Sequence, residues 1–193
     1  MPSRATCRWE VSIVSSSNSA FETIRPVIVL VSVCAVAGAL LGGVHHVTAP
    51  VIASAEQRRA EQTYAELMPE AASFEEVACE AEGCTAALKA LDATGGPVGH
   101  VIVAEAKGYG GMVPLVVAFD KDGAVQRVTV MPNEETPGLG SRAEDDSYLS
   151  QYVGITADAV DGASIDLISG ATISSTAVRT AFYRAVAAYE EVR

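Results

Sequence analysis

Histidine, basic charge and phosphate-loop motifs are what this chain has least of, and each shortage removes a class of function. The three histidines are His45, His46 and His100. The first two adjoin a long apolar run and the third falls in a β-rich stretch, so each reads as interfacial or structural. No Ser-His-Asp spacing, Walker loop or Rossmann glycine fingerprint is present. Lys and Arg number 13 against 24 Asp and Glu, a net charge of −11. An acidic chain without a Lys/Arg cluster is a poor partner for nucleic acid, and its globular part is a poor ligand for anionic lipid. Cysteine is sparse too. Cys79 and Cys84 enclose Glu80-Ala81-Glu82-Gly83 with no His or second Cys pair nearby, so zinc and other metals are not expected.

What the chain does have is one long apolar run. Val27 to Val44 contains no charged residue. At about 1.5 Å per residue it covers roughly 27 Å, close to a hydrocarbon core of roughly 30 Å. A signal-peptide core is shorter, roughly 7–15 residues, and begins nearer the N-terminus. An uncleaved anchor is therefore expected, although Ala53-Ser54-Ala55 resembles a cleavage site. Charge is divided around this run. The 49 residues before Pro50 carry a net +1 (Arg4, Arg8 and Arg25 against Glu10 and Glu22), so the remainder carries −12. The upstream arginines place the N-terminus in the cytoplasm and the domain outside, with Arg58 and Arg59 pulling the other way.

The expected organisation is a cytoplasmic segment over 1–23, a transmembrane helix over 24–47, a stalk helix over 48–70 and an extracytoplasmic domain over 71–193. Pro50 suits either the first turn of a new helix or a kink in a continuing one. Tyr64, Leu67 and Met68 form the stalk side expected to pack on the domain. On an oxidising side, Cys79 and Cys84 either close as a local disulfide or remain two thiols. Cys7 and Cys34 are expected to stay reduced.

From Thr85 onward the pattern changes to short β-rich runs between turn signals. Ala86–Leu91 and Val98–Ala106 read as one hairpin, Val113–Phe119 and Val125–Val130 as another. About four antiparallel strands, then helical material after Ser147 and a C-terminal helix, predict an α+β domain with helices on one side of the sheet. Lys107-Gly108-Tyr109-Gly110-Gly111 links the hairpins. It reads either as a flexible connection or as backbone made for close approach to a ligand, with a cation and an aromatic face added. Glu134-Glu135-Thr136-Pro137-Gly138-Leu139-Gly140 reads as a tight turn with Gly138 in the left-handed position.

The last loop, Ile168-Ser169-Gly170-Ala171-Thr172-Ile173-Ser174-Ser175, enters a helix. From Ile173, apolar residues recur as Ala177, Val178, Ala181, Phe182, Ala185, Val186 and Tyr189, one stripe at helical period. Hydroxyl residues at a helix start are commonly N-caps. The same position also attracts an anion, because first-turn N–H groups are unpaired and the macrodipole is positive there.

Together these loops carry a resemblance. Ser169-Gly170-Ala171-Thr172-Ile173-Ser174-Ser175 resembles the S-G-A-T-x-S/T-S signature of covalent FMN-binding domains, Glu135 to Gly140 their E-T-P-G-L-G loop, and Gly108 to Gly111 their Gly-rich connection. The layout over residues 24 to 193 is similar to that of G subunits of Rnf electron transport complexes and of the related C subunits of sodium-translocating NADH:quinone reductases. The resemblance implies FMN joined by a phosphoester to Thr172, installed by a separate flavin transferase. It implies further contacts from Ser169, Gly170, Ala171, Ser174 and Ser175. Glu135, Thr136, Gly138, Leu139, Gly140, Lys107, Gly108, Tyr109, Gly110 and Gly111 would line the flavin. Where relatives often carry His two residues before the Glu of that loop, this chain has Asn133. An amide keeps hydrogen bonding but takes no proton near neutral pH, which bears on redox tuning.

The function implied is an electron-relaying flavoprotein subunit, anchored in the bilayer beside other membrane subunits of an Rnf-type complex. Such complexes couple ferredoxin/NAD electron transfer to ion movement, and no independent turnover is expected of this chain. Two other readings fit the same residues: a stand-alone extracytoplasmic FMN-dependent reductase component, or a flavin-binding membrane sensor.

Overall fold

The structure, a computed structural model, describes residues 19–193. Arg4, Arg8 and Cys7 lie outside the described residues. The chain divides into two compact units, Met1–Gln57 and Arg58–Arg193.

Helix α1 (Ser19–Leu67) runs unbroken through Pro26 and Pro50. Of the two roles open to Pro50, the helix takes the continuing one. In the first unit every described side chain from Ile24 on is exposed except the half-buried Ala49. Among the described residues α1 is the one helix long and apolar enough to cross a membrane.

The second unit is built on an antiparallel sheet in the order β1 (Ser73–Val77), β2 (Cys84–Leu91), β3 (Pro97–Lys107), β4 (Met112–Asp120) and β5 (Val125–Val130). Four of these strands are the predicted ones, extended by a residue or two at some ends. The fifth, β1, went unread because it is an edge strand that only half-buries Phe74 and Val77 and otherwise shows exposed Ser and Glu to solvent. Central strands show the opposite pattern. Val101, Ile102, Val103 and Ala104 are all buried, because both faces of the sheet are covered.

One face is covered by α3 (Thr172–Val192). Its predicted stripe from Ala177 to Tyr189 packs on Ile102, Leu115, Val117 and Phe119. Burying an aromatic or branched side chain here stabilises by roughly 1.5–3 kcal/mol each, and the Tyr189 ring stacks on Phe119 at 4.5 Å. Covering the other face are Leu67 and Met68 at the end of α1, set against Ala90, Val101, Val103, Val116 and Ala118. The helices expected on one side thus lie on both, and Tyr64, Leu67 and Met68 meet the sheet as predicted. Arg127 of β5 donates to the Glu66 carbonyl at 2.9 Å, meeting one of the unpaired carbonyls at the end of α1.

Between β5 and α3 the chain makes only short helical turns. They include Gly140–Glu144 and α2 (Asp146–Leu149). These place Tyr148 and Tyr152 beneath the start of α3, with phenol oxygens 3.2 Å apart.

Candidate functional site

Three loops converge on one end of α3. The β3–β4 connection supplies Tyr109, the segment after β5 supplies Glu135, Thr136, Leu139 and Gly140, and the helix start supplies Gly170 to Ser174. They line a cavity of about 550 Å³, within the usual range of roughly 300–1,000 Å³ for small-molecule sites. Predicted residues that do not line it are Lys107, Gly108, Gly110, Gly111, Gly138, Ser169 and Ser175.

The convergence is organised by the carboxylate of Glu135, which is buried. One oxygen accepts the backbone N–H of Tyr109 at 2.7 Å and of Gly110 at 2.9 Å. The other accepts the Ser174 hydroxyl at 2.5 Å. A single acid therefore ties the β3–β4 loop, its own turn and the first turn of α3 together. Its oxygens are already engaged, so it forms the floor of the cavity rather than a free ligand for a guest. The glycines of the β3–β4 loop take their meaning from this. Neither Gly108 nor Gly110 has a positive φ. A Cβ on Gly108 would strike the Glu135 carboxylate, and one on Gly110 the Glu134 carbonyl. The close approach that the loop permits is to the chain itself.

Burial alone would raise the Glu135 pKa, but hydrogen bonds from Ser174, Gly110 and Tyr109 outweigh it, and the pKa is lowered. A carboxyl whose folded pKa is depressed contributes stability that is complete above its unfolded value of about 4.3 and is lost as pH falls through the folded value. Unfolding curves of the wild type should therefore lose stability below about pH 4.3, relative to Glu135→Gln. Parallel pH profiles for the two proteins would contradict this.

The turn Thr136-Pro137-Gly138-Leu139 forms as predicted. Leu139 N–H donates to the Thr136 carbonyl at 3.2 Å, and Gly138 has φ 77°. Asn133 does not line the cavity. Its side-chain oxygen Oδ1 accepts the Glu135 N–H at 2.9 Å, and its Nδ2 donates to the Met131 carbonyl and the Glu144 carboxylate at 3.1 Å each. Its work here is to set the approach of the Glu135 loop.

At the helix start the hydroxyls separate into two kinds. Ser175 is fully buried, accepts the Ile168 N–H at 3.2 Å and donates to the Ala171 carbonyl at 2.9 Å. Ser174 is buried against Glu135. Neither caps the helix: the N-cap is Ala171, with no side-chain cap, so capping by the serines is not how this end is satisfied. Thr172, the first helical residue, is exposed, and its hydroxyl has no hydrogen-bond partner among the described residues. The unpaired first-turn N–H groups and the positive end of the dipole favour an anion there. Among the described residues no Lys, Arg or His lines the cavity, so backbone amides supply the positive potential.

Around the opening stand three exposed apolar side chains: Tyr109 at 73%, Leu139 at 48% and Ile173 at 56% exposure. Ile173 was expected to begin the buried stripe of α3 but instead turns into the cavity. The Tyr148–Tyr152 pair is a support that sequence reading missed. Tyr148 donates to the Ser175 carbonyl at 3.3 Å, holding the first turn from behind. Burial raises both phenols' pKa values, so they stay protonated donors. Two tyrosines four residues apart could have been found as one helical face, but the turn carrying them is too short to show a period.

Residues 108–187 match the FMN-binding domain family. The chain is 31% identical over 160 residues to the G subunit of a proton-translocating ferredoxin:NAD(+) oxidoreductase complex from Clostridium ljungdahlii, spanning 79% of this chain and 84% of that one. It is 31% identical over 175 residues to the G subunit of an ion-translocating oxidoreductase complex from Methanosarcina acetivorans, over 86% and 93% of the two chains. The G subunit of a Na(+)-translocating ferredoxin:NAD(+) oxidoreductase complex from Acetobacterium woodii is 25% identical over 86% of this chain and 90% of its own. With its FMN-binding domain fold and its apolar N-terminal helix, the chain is a membrane-anchored member of the family of G subunits of ion-translocating oxidoreductase complexes.

Proposed function

We propose that this chain is an electron-relaying flavoprotein subunit of an Rnf-type complex, carrying FMN as a phosphoester on Thr172. The observation that carries the reading is the exposed, unengaged Thr172 hydroxyl at an uncapped helix start beside the cavity. Bound FMN supplies the redox chemistry, and the protein supplies tethering, orientation and electrostatics. The first-turn amides of α3 would hold the phosphate, with Gly170 (φ 86°) turning the chain so that the amides face it. Tyr109, Leu139 and Ile173 offer apolar surface for the ring. Glu135 and Ser174 keep those parts in register. A covalent bond suits a carrier that cannot readily recover a lost cofactor. A separate flavin transferase makes the bond, and the other subunits of the complex supply and accept the electrons.

Intact-mass measurement tests this. The chain produced together with a flavin transferase gains one FMN less a water, and absence of flavin under those conditions sinks the reading. The domain over 71–193 is placed outside the cytoplasm, on the balance of arginines upstream of the apolar run. After mild reduction, a membrane-impermeant thiol reagent should label Cys79 and Cys84 on intact cells. Labelling only after lysis would reverse the topology.

A further inference from the structure

The connection between β1 and β2 holds two cysteines that the flavin site does not use. Both are half-buried thiols, packed at the edge of the core formed by α3 and the sheet. Cys79 lies close enough to Cys84 to act on its thiol, and both border the same core. Burial first, then the Cys79 thiol and Glu191, push the Cys84 thiol up to about 12.

The loop between them is strapped to α3 from several sides. Glu191 accepts the Glu80 N–H at 3.1 Å and the Cys79 thiol at 3.8 Å. Arg184 pairs with Glu82 at 2.6 Å and donates to the Glu105 carbonyl at 2.7 Å. Glu105 N–H in turn donates to the Gly83 carbonyl at 2.8 Å. These attachments fix the loop that carries both sulfurs against α3 and β3.

We propose that Cys79 and Cys84 are a thiol–disulfide exchange site that closes an intramolecular disulfide, with a small-molecule or protein disulfide as oxidant. Cys79 is the attacking sulfur, because the Glu191 carboxylate 3.8 Å from it can accept its proton during the attack. The thiolate attacks one sulfur of the oxidant, and the first thiol leaves with a proton. Cys84 then attacks Cys79 in the mixed disulfide and expels the second thiol, which takes the Cys84 proton. Two cysteine thiols are oxidised and one disulfide is reduced to two thiols, with nothing left over. The bond pins the start of β2 to the segment just after edge strand β1, which among the described residues pairs with β2 alone. The extracytoplasmic placement proposed above supplies the oxidant in the cell, but the chemistry itself depends on neither that placement nor flavin.

The test uses the full chain in detergent without flavin, carrying Cys7→Ser and Cys34→Ser so that only this pair remains. Samples equilibrated with oxidised glutathione or with dithiothreitol are alkylated and weighed. The oxidised sample is expected to be about 2 Da lighter than the unalkylated dithiol and to take up no alkylating group, where the reduced sample takes up two. Its melting temperature should be higher by roughly 5 °C. Adding Cys84→Ser should trap one glutathione on Cys79. Two alkylatable thiols after oxidation, a glutathione adduct that never resolves in the pair, or disulfides only between molecules would each overturn the proposal. The comparison within one protein holds even if Cys84→Ser fails to fold. Because the readout contains no flavin, failure here is separate from failure of the flavin assignment.

Discussion

Thr172→Ala, matured with a flavin transferase, is expected to carry no covalent FMN, while Thr172→Ser keeps it. The reason is chemical before it is structural. A phosphoester needs a hydroxyl, and Thr172 is the hydroxyl residue of the first turn that is exposed and engaged with nothing among the described residues; Ser169 is exposed too but does not line the cavity. Ser174 and Ser175 lie close in sequence, but one is committed to Glu135 and the other to the Ala171 carbonyl and the Ile168 amide. Neither can replace Thr172 without breaking contacts that hold the loop. Stability should scarcely change, because alanine at an exposed first-turn position costs within about 0.5 kcal/mol. Loss of the flavin mass with an unchanged melting temperature is the expected pair of results. Flavin retained on Thr172→Ala would move the attachment elsewhere and undo the assignment.

The second large effect is expected at Glu135. Removing the carboxylate in Glu135→Ala leaves the Tyr109 and Gly110 amides and the Ser174 hydroxyl without their acceptor. Charge-assisted hydrogen bonds contribute about 1.5–3 kcal/mol each in favourable cases, and water reaching the cavity restores part of the loss. A net cost of about 2–3 kcal/mol by chemical denaturation follows. Flavin attachment should slow strongly as the three loops lose their common tie. Glu135→Gln keeps one carbonyl oxygen for the two amides and should cost about 1 kcal/mol, with most of the attachment retained. If Glu135→Ala loads flavin as fast as the wild type, the carboxylate is not the element that sets the site. Melting temperature alone cannot separate that case from simple destabilisation. The separation comes from the Ala-to-Gln contrast in attachment rate, measured well below both melting points.

Much of the fold could be read from local pattern. The period of Ala177 to Tyr189 identified α3, and short β-rich runs between turn signals identified four strands, because the faces they bury are continuous and well filled. Strand β1 escaped because an edge strand that half-buries two residues leaves no such pattern. That Tyr64, Leu67 and Met68 pack on the domain was legible; that they cover the sheet face opposite α3 was not, because a local pattern does not record which face a distant segment meets. For the site, spacing identified the loops but not the division of labour inside them. Glu135, Ser174 and the β3–β4 glycines looked like contacts for a ligand, and the structure commits them to one another. Ile173 belonged to the helical stripe by period, yet it is exposed and lines the cavity, and the buried apolar stripe begins at Ala177.

The sequence by itself determined the apolar anchor, the order of strands and final helix, and the three loops that bear the site. Each follows from composition and period over a few consecutive residues. Only the tertiary structure decided which of several neighbouring hydroxyls is free and which acid holds the loops together. Those outcomes depend on residues far apart in the chain competing for the same hydrogen-bond partners, and nothing local records who wins.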